Sequence, residues 1–180
     1  MSKKILVCCA SFRKGSNSEK LGDAFIRGAR EAGHEVRKLR LAEKIIHFCR
    51  GCLSCQQTGK CVIRDDMEPI LALLKEADVL ALTTPIYYYE MSGLLKTFLD
   101  RVNPLYVSSY AFRDVYLFTS GAEENIHTSE HAEAGLQGWI DCFSNARFAG
   151  SIFAGGVTDE GDISHREDVL KEAYEMGKTC

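Results

Sequence analysis

Proline is scarce in this sequence, with 3 in 180 residues, and no apolar run is long enough to span a bilayer. So few prolines exclude a polyproline or linker-dominated architecture, and 15 glycines without a fixed period exclude a collagenous one. A basic excess is also missing. With 22 Lys and Arg against 25 Asp and Glu, the net charge is -3, so no field draws in nucleic acid or an anionic membrane. The first apolar run, Ile5 to Ala10, is too short for a signal-peptide core, which points to the cytoplasm. Gly-x-Gly-x-x-Gly, the P-loop pattern and Gly-x-Ser-x-Gly do not occur, so the usual pyrophosphate, nucleoside triphosphate and serine-hydrolase signatures are excluded.

What is present is a hydrophobic fraction of 46%, enough to bury a core in a chain of this length. Residues 1–180 read as one domain carrying a cysteine-rich loop at about 47–66. Short β-rich runs alternate with amphipathic stretches. Strands are expected at Ile5–Ala10, His34–Leu39, Val79–Thr84 (closed by Pro85), Asp114–Thr119 and Arg147–Ala154. Helices are expected at about 18–32, Met67–Ala77, around Leu94 to Val102, His127–Phe143 and His165–Gly177. Continuously apolar strands alternating with helices imply a parallel sheet covered on both faces, a doubly wound α/β fold. Five strands fit the flavodoxin-like order 2-1-3-4-5, whose ligand crevice lies at the carboxyl ends of the strands. The loops following Ala10, Thr84 and Thr119 are therefore the places to look for a site.

The loop after the first strand runs Ser11-Phe12-Arg13-Lys14-Gly15-Ser16-Asn17-Ser18 into a helix. Hydroxyls, an amide and cations at a helix N-terminus are phosphate-binding groups. With no pyrophosphate motif, they favour a monophosphate, and so FMN over NAD or ATP as the held ligand. The segment from Ala10 to Leu21 is similar to the phosphate loop of the NAD(P)H-dependent FMN reductase branch of the flavodoxin-like superfamily. Ala10 and Phe12 stand where that family has glycine and proline. The resemblance implies phosphate contacts from Ser11, Arg13, Ser16, Asn17 and Ser18.

Thr84-Pro85-Ile86-Tyr87, then Met91-Ser92-Gly93, then Leu95-Lys96 and Phe98-Leu99-Asp100-Arg101 resemble the same family's flavin loop and the helix after it. An isoalloxazine ring needs apolar or aromatic surface on its face and backbone donors at its polar edge, which Pro85, Ile86, Tyr87 and Tyr88 can offer. The tyrosines equally suit an interface, and the resemblance implies a homo-oligomer, dimer or tetramer. Ser120 and Gly121 follow the fourth strand, where the family closes over the ring. Lys96 and Asp100 read as a structural i,i+4 pair, and Asp66 as a helix cap. His127 and His131, four apart, read as a solvated helix face, and Cys8 and Cys9 as buried strand residues.

Eight cysteines is a high count, and Cys49, Cys52, Cys55 and Cys61 fall in one C-x2-C-x2-C-x5-C run. Four thiolates so closely spaced can ligate a [4Fe–4S] cluster, while tetrahedral zinc, disulfides and free thiols stay open. The run resembles the compact motif of the iron–sulfur flavoproteins, within the same superfamily. The resemblance thus implies an FMN-dependent oxidoreductase taking hydride from NADPH or NADH and passing electrons to a small-molecule or protein acceptor. Two alternatives are an iron–sulfur flavoprotein acting as an electron carrier and a cysteine-based redox or metal sensor without turnover.

Overall fold

In the computed structural model, which describes all 180 residues, strands β1 (Lys4–Cys9), β2 (Glu35–Arg40), β3 (Val79–Tyr87), β5 (Asp114–Ser120) and β6 (Arg147–Ala154) form one parallel sheet. Their order is β2-β1-β3-β5-β6, which is the expected 2-1-3-4-5 when the parallel strands alone are numbered. The alternation within β1 shows why both faces are buried. Leu6, Cys8 and Ala10 pack into one core with residues of helices α3 (Met67–Glu76), α4 (Gly93–Asp100) and α5 (Glu130–Ile140). Ile5, Val7 and Cys9 pack into the other, against α1 (Asn17–Glu31) and α6 (Glu167–Thr179). Successive side chains of a strand point to opposite faces, so an unbroken apolar run is what a two-sided core demands. Burial pushes the Cys9 thiol up to about 12 and raises Cys8 as well, leaving both as inert packing groups.

The structure departs from the expected elements in five places. Strand β3 does not close at Pro85 but runs on to Tyr87 and turns back into a short antiparallel strand, β4 (Glu90–Met91). Pairing with β1 ends at Thr83, so the proline falls where a missing N–H breaks no ladder bond on that side. Tyr88 and Tyr89 make the turn, both at positive φ (52° and 66°). Helix α1 is capped by Ser16, whose Oγ accepts from the Glu19 N–H at 3.3 Å, and so starts at Asn17, one residue before the expected start. The helices expected from His127 and His165 begin instead at Glu130 and Glu167, each behind a 3₁₀ turn. Within the cysteine loop a short helix α2 (Ser54–Thr58) forms, entered through Leu53 and left through Gly59, both left-handed. No helix is long and apolar enough to cross a membrane.

Candidate functional site

Three loops leave the carboxyl ends of β1, β3 and β5 and surround a cleft of about 220 Å³. At the first lie Ser11, Arg13, Ser16 and Asn17, at the second the last residues of β3, Pro85, Ile86 and Tyr87, and at the third Ser120 of β5 with Gly121 and Ala122. A fourth segment, Val157 to Glu160 after β6, completes the lining. Two expected residues stand apart from it. Ser18 is wholly buried with its Oγ 3.4 Å from that of Ser16, and Tyr88 is fully exposed at the tip of the β3–β4 hairpin.

At the α1 end of the cleft, Ser16 satisfies the Glu19 N–H, while the N–H groups of Asn17 and Ser18 find no acceptor in the chain. Two free donors at the positive end of a 15-residue helix form an anion seat. Beside it, the Arg13 guanidinium donates to the Thr158 carbonyl at 2.9 Å, and the Asn17 amide donates to the Asp159 carbonyl at 3.0 Å. The Asn17 side-chain carbonyl accepts from the Ile163 N–H at 3.3 Å, so this amide also anchors the fourth loop. Glu19 lies buried behind the seat, where a bare carboxylate would repel an anion. Lys38 and Arg40 of β2 neutralise it at 2.7 and 3.2 Å, and it accepts the Gly15 N–H at 3.0 Å, at a residue whose φ of 67° suits glycine. Burial pushes the Glu19 carboxyl up, but the Lys38 ammonium and these other partners outweigh it and hold it below its ordinary value.

The other end of the cleft is apolar and tightly built. A Cβ on Gly121 would stand 3.3 Å from the Phe153 ring and 3.6 Å from Ile86, so a side chain here would push on the Phe153 ring behind this wall. Ser92, the N-cap of α4, ties the walls together: its Oγ donates to the Ala10 carbonyl at 2.9 Å and accepts from Thr84 at 3.1 Å. Free amides for a phosphate at one end and apolar surface for a ring at the other fit FMN.

The four clustered cysteines lie away from this cleft. Cys49 and Cys52 are exposed, Cys61 is half-buried and Cys55 is buried. No three His, Cys, Asp or Glu side chains are drawn together as a metal shell would hold them. Three of the four sulfurs nevertheless meet a donor. The Gly51 N–H lies 3.5 Å from Cys49, the Asn103 amide 3.3 Å from Cys55 and the Arg101 guanidinium 3.6 Å from Cys61. The Ser54 N–H and hydroxyl hold the Cys52 thiol below its ordinary range, with Arg50 nearby. Burial, and next the neighbouring sulfurs of Cys61 and Cys49, raise the Cys55 thiol. Soft sulfur ligands with N–H donors are the chemistry an iron–sulfur cluster uses.

Asp65 and Arg101 form a buried two-pronged ion pair beside these cysteines, with contacts of 2.6 and 3.0 Å. Burial pushes the Asp65 carboxyl up, but Arg101 and the N–H groups of His47 and Met67 hold it far below its ordinary value. The cap of α3 is accordingly not the side chain of Asp66. Asp65 takes the Met67 N–H at 3.1 Å, while Asp66 reaches back across the loop to the Ile45 N–H at 2.7 Å. Lys96 and Asp100 pair at 2.6 Å as expected, and exposed His127 pairs with Glu130.

The sequence pattern of the family described as NADPH-dependent FMN reductase matches residues 3–154. The chain belongs to this family. An iron–sulfur flavoprotein of Archaeoglobus fulgidus is 39% identical to this FMN reductase family member over 92 residues, 51% of this chain and 42% of its own length. One of Methanocaldococcus jannaschii is 36% identical over 102 residues, 57% of this chain and 53% of its own. The chain thus spans about half the length of these two relatives. An iron–sulfur flavoprotein of Methanosarcina thermophila is 29% identical over 154 residues, covering 82% of this chain and 81% of its own. Among solved structures, an NAD(P)H:quinone oxidoreductase from Methanothermobacter marburgensis superposes with a TM-score of 0.81 at 20% identity, over 99% of this chain and 96% of that one, a likeness of fold.

Three contributors escape a reading of the sequence. Glu19 looks like any acidic first-turn residue until β2 brings Lys38 and Arg40 beside it. Val157 to Glu160 lies beyond the family match, although a polar Thr-Asp-Glu-Gly-Asp run after an apolar strand is a signal for a site loop. Arg101 gives no local sign of its burial.

Proposed function

We propose that this chain is an FMN-dependent oxidoreductase that uses NADPH or NADH as hydride donor and delivers electrons to a small-molecule or protein acceptor. The observation that carries the reading is the cleft at the switch point of the sheet, with Arg13 and the free N–H of Asn17 at one end and Ile86, Tyr87 and Gly121 at the other. When bound, FMN supplies hydride acceptance and onward electron transfer. The chain's own groups do the binding. Asn17 and Ser18 donate to the phosphate, and Arg13 exchanges the Thr158 carbonyl for a charged partner. Ile86, Tyr87 and Gly121 would line the ring's end of the cleft, the side chains of Ile86 and Tyr87 shielding it from water.

A second element of the reading is that Cys49, Cys52, Cys55 and Cys61 hold a [4Fe–4S] cluster, which would make the protein an electron-transfer flavoprotein. The N–H donors at the sulfurs of Cys49, Cys55 and Cys61 favour this over unused thiols, and the names of the relatives agree with it. Eight unpaired cysteines suit the reducing cytoplasm, and exposed Tyr87 and Tyr88 at the end of the β3–β4 hairpin suit assembly into a dimer or tetramer.

The test is anaerobic purification, a visible spectrum before and after heat release of the flavin, an assay of iron and labile sulfide, and turnover of NADPH and NADH with quinone or free flavin. Released FMN with nicotinamide oxidation is expected. Failure to bind FMN on reconstitution overturns the main reading, and FMN without iron overturns the cluster.

A further inference from the structure

The guanidinium of Arg101 is wholly buried, and its contacts go to one segment of the chain. Nη1 donates to the His47 carbonyl and to Asp65, both at 2.6 Å, while Nη2 donates to Asp65 at 3.0 Å and lies 3.6 Å from the Cys61 sulfur. Asp65 in turn accepts the His47 N–H at 2.9 Å. One cation therefore gathers the beginning of the cysteine loop at His47 and its end at Cys61 and Asp65. A pair serving stability alone would need only Asp65, and here Nε is left without a partner while the other nitrogens reach the loop.

The position of Arg101 ties the loop to the cleft. It directly follows α4, and the other end of that helix is Ser92, bonded to Ala10 and Thr84 in the cleft wall. Eight helical residues span about 12 Å, so α4 is a short rigid strut between the two regions.

We propose that Arg101 is a positioning residue that fixes the cysteine loop in register with the flavin cleft through α4 and sets a positive charge against Cys61. This deepens the iron–sulfur reading and rests on it for its redox part. A cation hydrogen-bonded to a ligating sulfur stabilises the reduced, more negative state of a cluster and so raises its potential.

The experiment compares wild type, Arg101→Lys and Arg101→Gln as FMN-loaded, anaerobically purified protein. Hydrogen exchange followed by mass spectrometry should rise on the order of a hundredfold in residues 47–66 of the Gln variant, with β1 and β3 unchanged. Unchanged exchange in that segment, or a rise spread over the whole chain, overturns the positioning role. Where iron and sulfide are present, the cluster midpoint should fall in Arg101→Gln and recover in Arg101→Lys, which keeps the charge, while the flavin midpoint stays put. Equal cluster midpoints in all three, or equal falls in both variants, overturn the electrostatic role. Wild type without iron overturns the cluster reading instead, and the exchange result then judges the positioning role by itself.

Discussion

Arg13 holds the Thr158 carbonyl at 2.9 Å, so phosphate must displace a neutral acceptor to gain the guanidinium. The net gain is that of a charge-assisted bond over a neutral one, and Arg13→Ala should weaken FMN binding by about 1–1.5 kcal/mol. Titration of the apoprotein by quenching of FMN fluorescence measures this, and an unchanged dissociation constant removes Arg13 from the phosphate seat. Asp65 supports a different prediction. Its folded value lies below its unfolded value of about 3.9, so the stabilisation is complete above that pH and is lost as pH falls below it. Asp65→Asn removes it at every pH and leaves a buried guanidinium without its counter-charge, a loss of about 3–5 kcal/mol. Urea unfolding at pH 7 should show that loss, and by pH 3 the gap between variant and wild type should have narrowed. The contrast between these residues explains what the sequence could tell. Arg13 sits in a polar loop after a buried strand, and that local context announces it. Asp65, Glu19 and Arg101 act through partners 36, 19 and 54 positions away, which no local pattern records.

Among the elements, the strands and the long helices were legible because burial on both faces writes continuous apolar runs, and helix α1 writes a stripe between its cap and Gly33. Strand β4 and helix α2 were not, because each is short and set by backbone turns at Tyr88–Tyr89 and at Leu53 and Gly59. The pairing of α1 with α6 was equally hidden. These helices meet backbone to backbone, since a Cβ on Gly28 would lie 1.9 Å from the Tyr174 carbonyl oxygen and one on Gly177 would lie 2.1 Å from that of Phe25. Backbone cannot swing aside as a side chain can, so the helices themselves must part. Gly28→Ala should therefore cost about 2 kcal/mol net, overpacking outweighing alanine's better helix propensity. Gly138 in α5 faces open space and provides the opposite sign, with Gly138→Ala gaining up to about 1 kcal/mol. Urea unfolding of both variants checks the pair, and a loss at Gly138 matching that at Gly28 would show that the close helix contact is not the cause.

On the scale of the whole molecule, the sheet gathers the loops of β1, β3, β5 and β6 into one cleft, while the cysteine loop hangs from β2 and is fastened by α4. The cleft's donors come from α1 and its flanking loop, and the thiols' donors come from Gly51, Arg101 and Asn103, so the two regions share no side chain. Sites without shared partners respond additively to substitution. On the proposed cluster, Arg13→Ala should thus lower the FMN content of purified protein and leave iron per chain unchanged. Cys52→Ser should do the reverse, abolishing iron while the protein keeps its flavin and still oxidises NADPH or NADH with a quinone. Flavin and iron assays on the two single variants and the double variant measure this. Loss of FMN in Cys52→Ser would mean that the cysteine loop is part of the flavin site, and the separation of cleft and loop drawn from the fold would then be wrong.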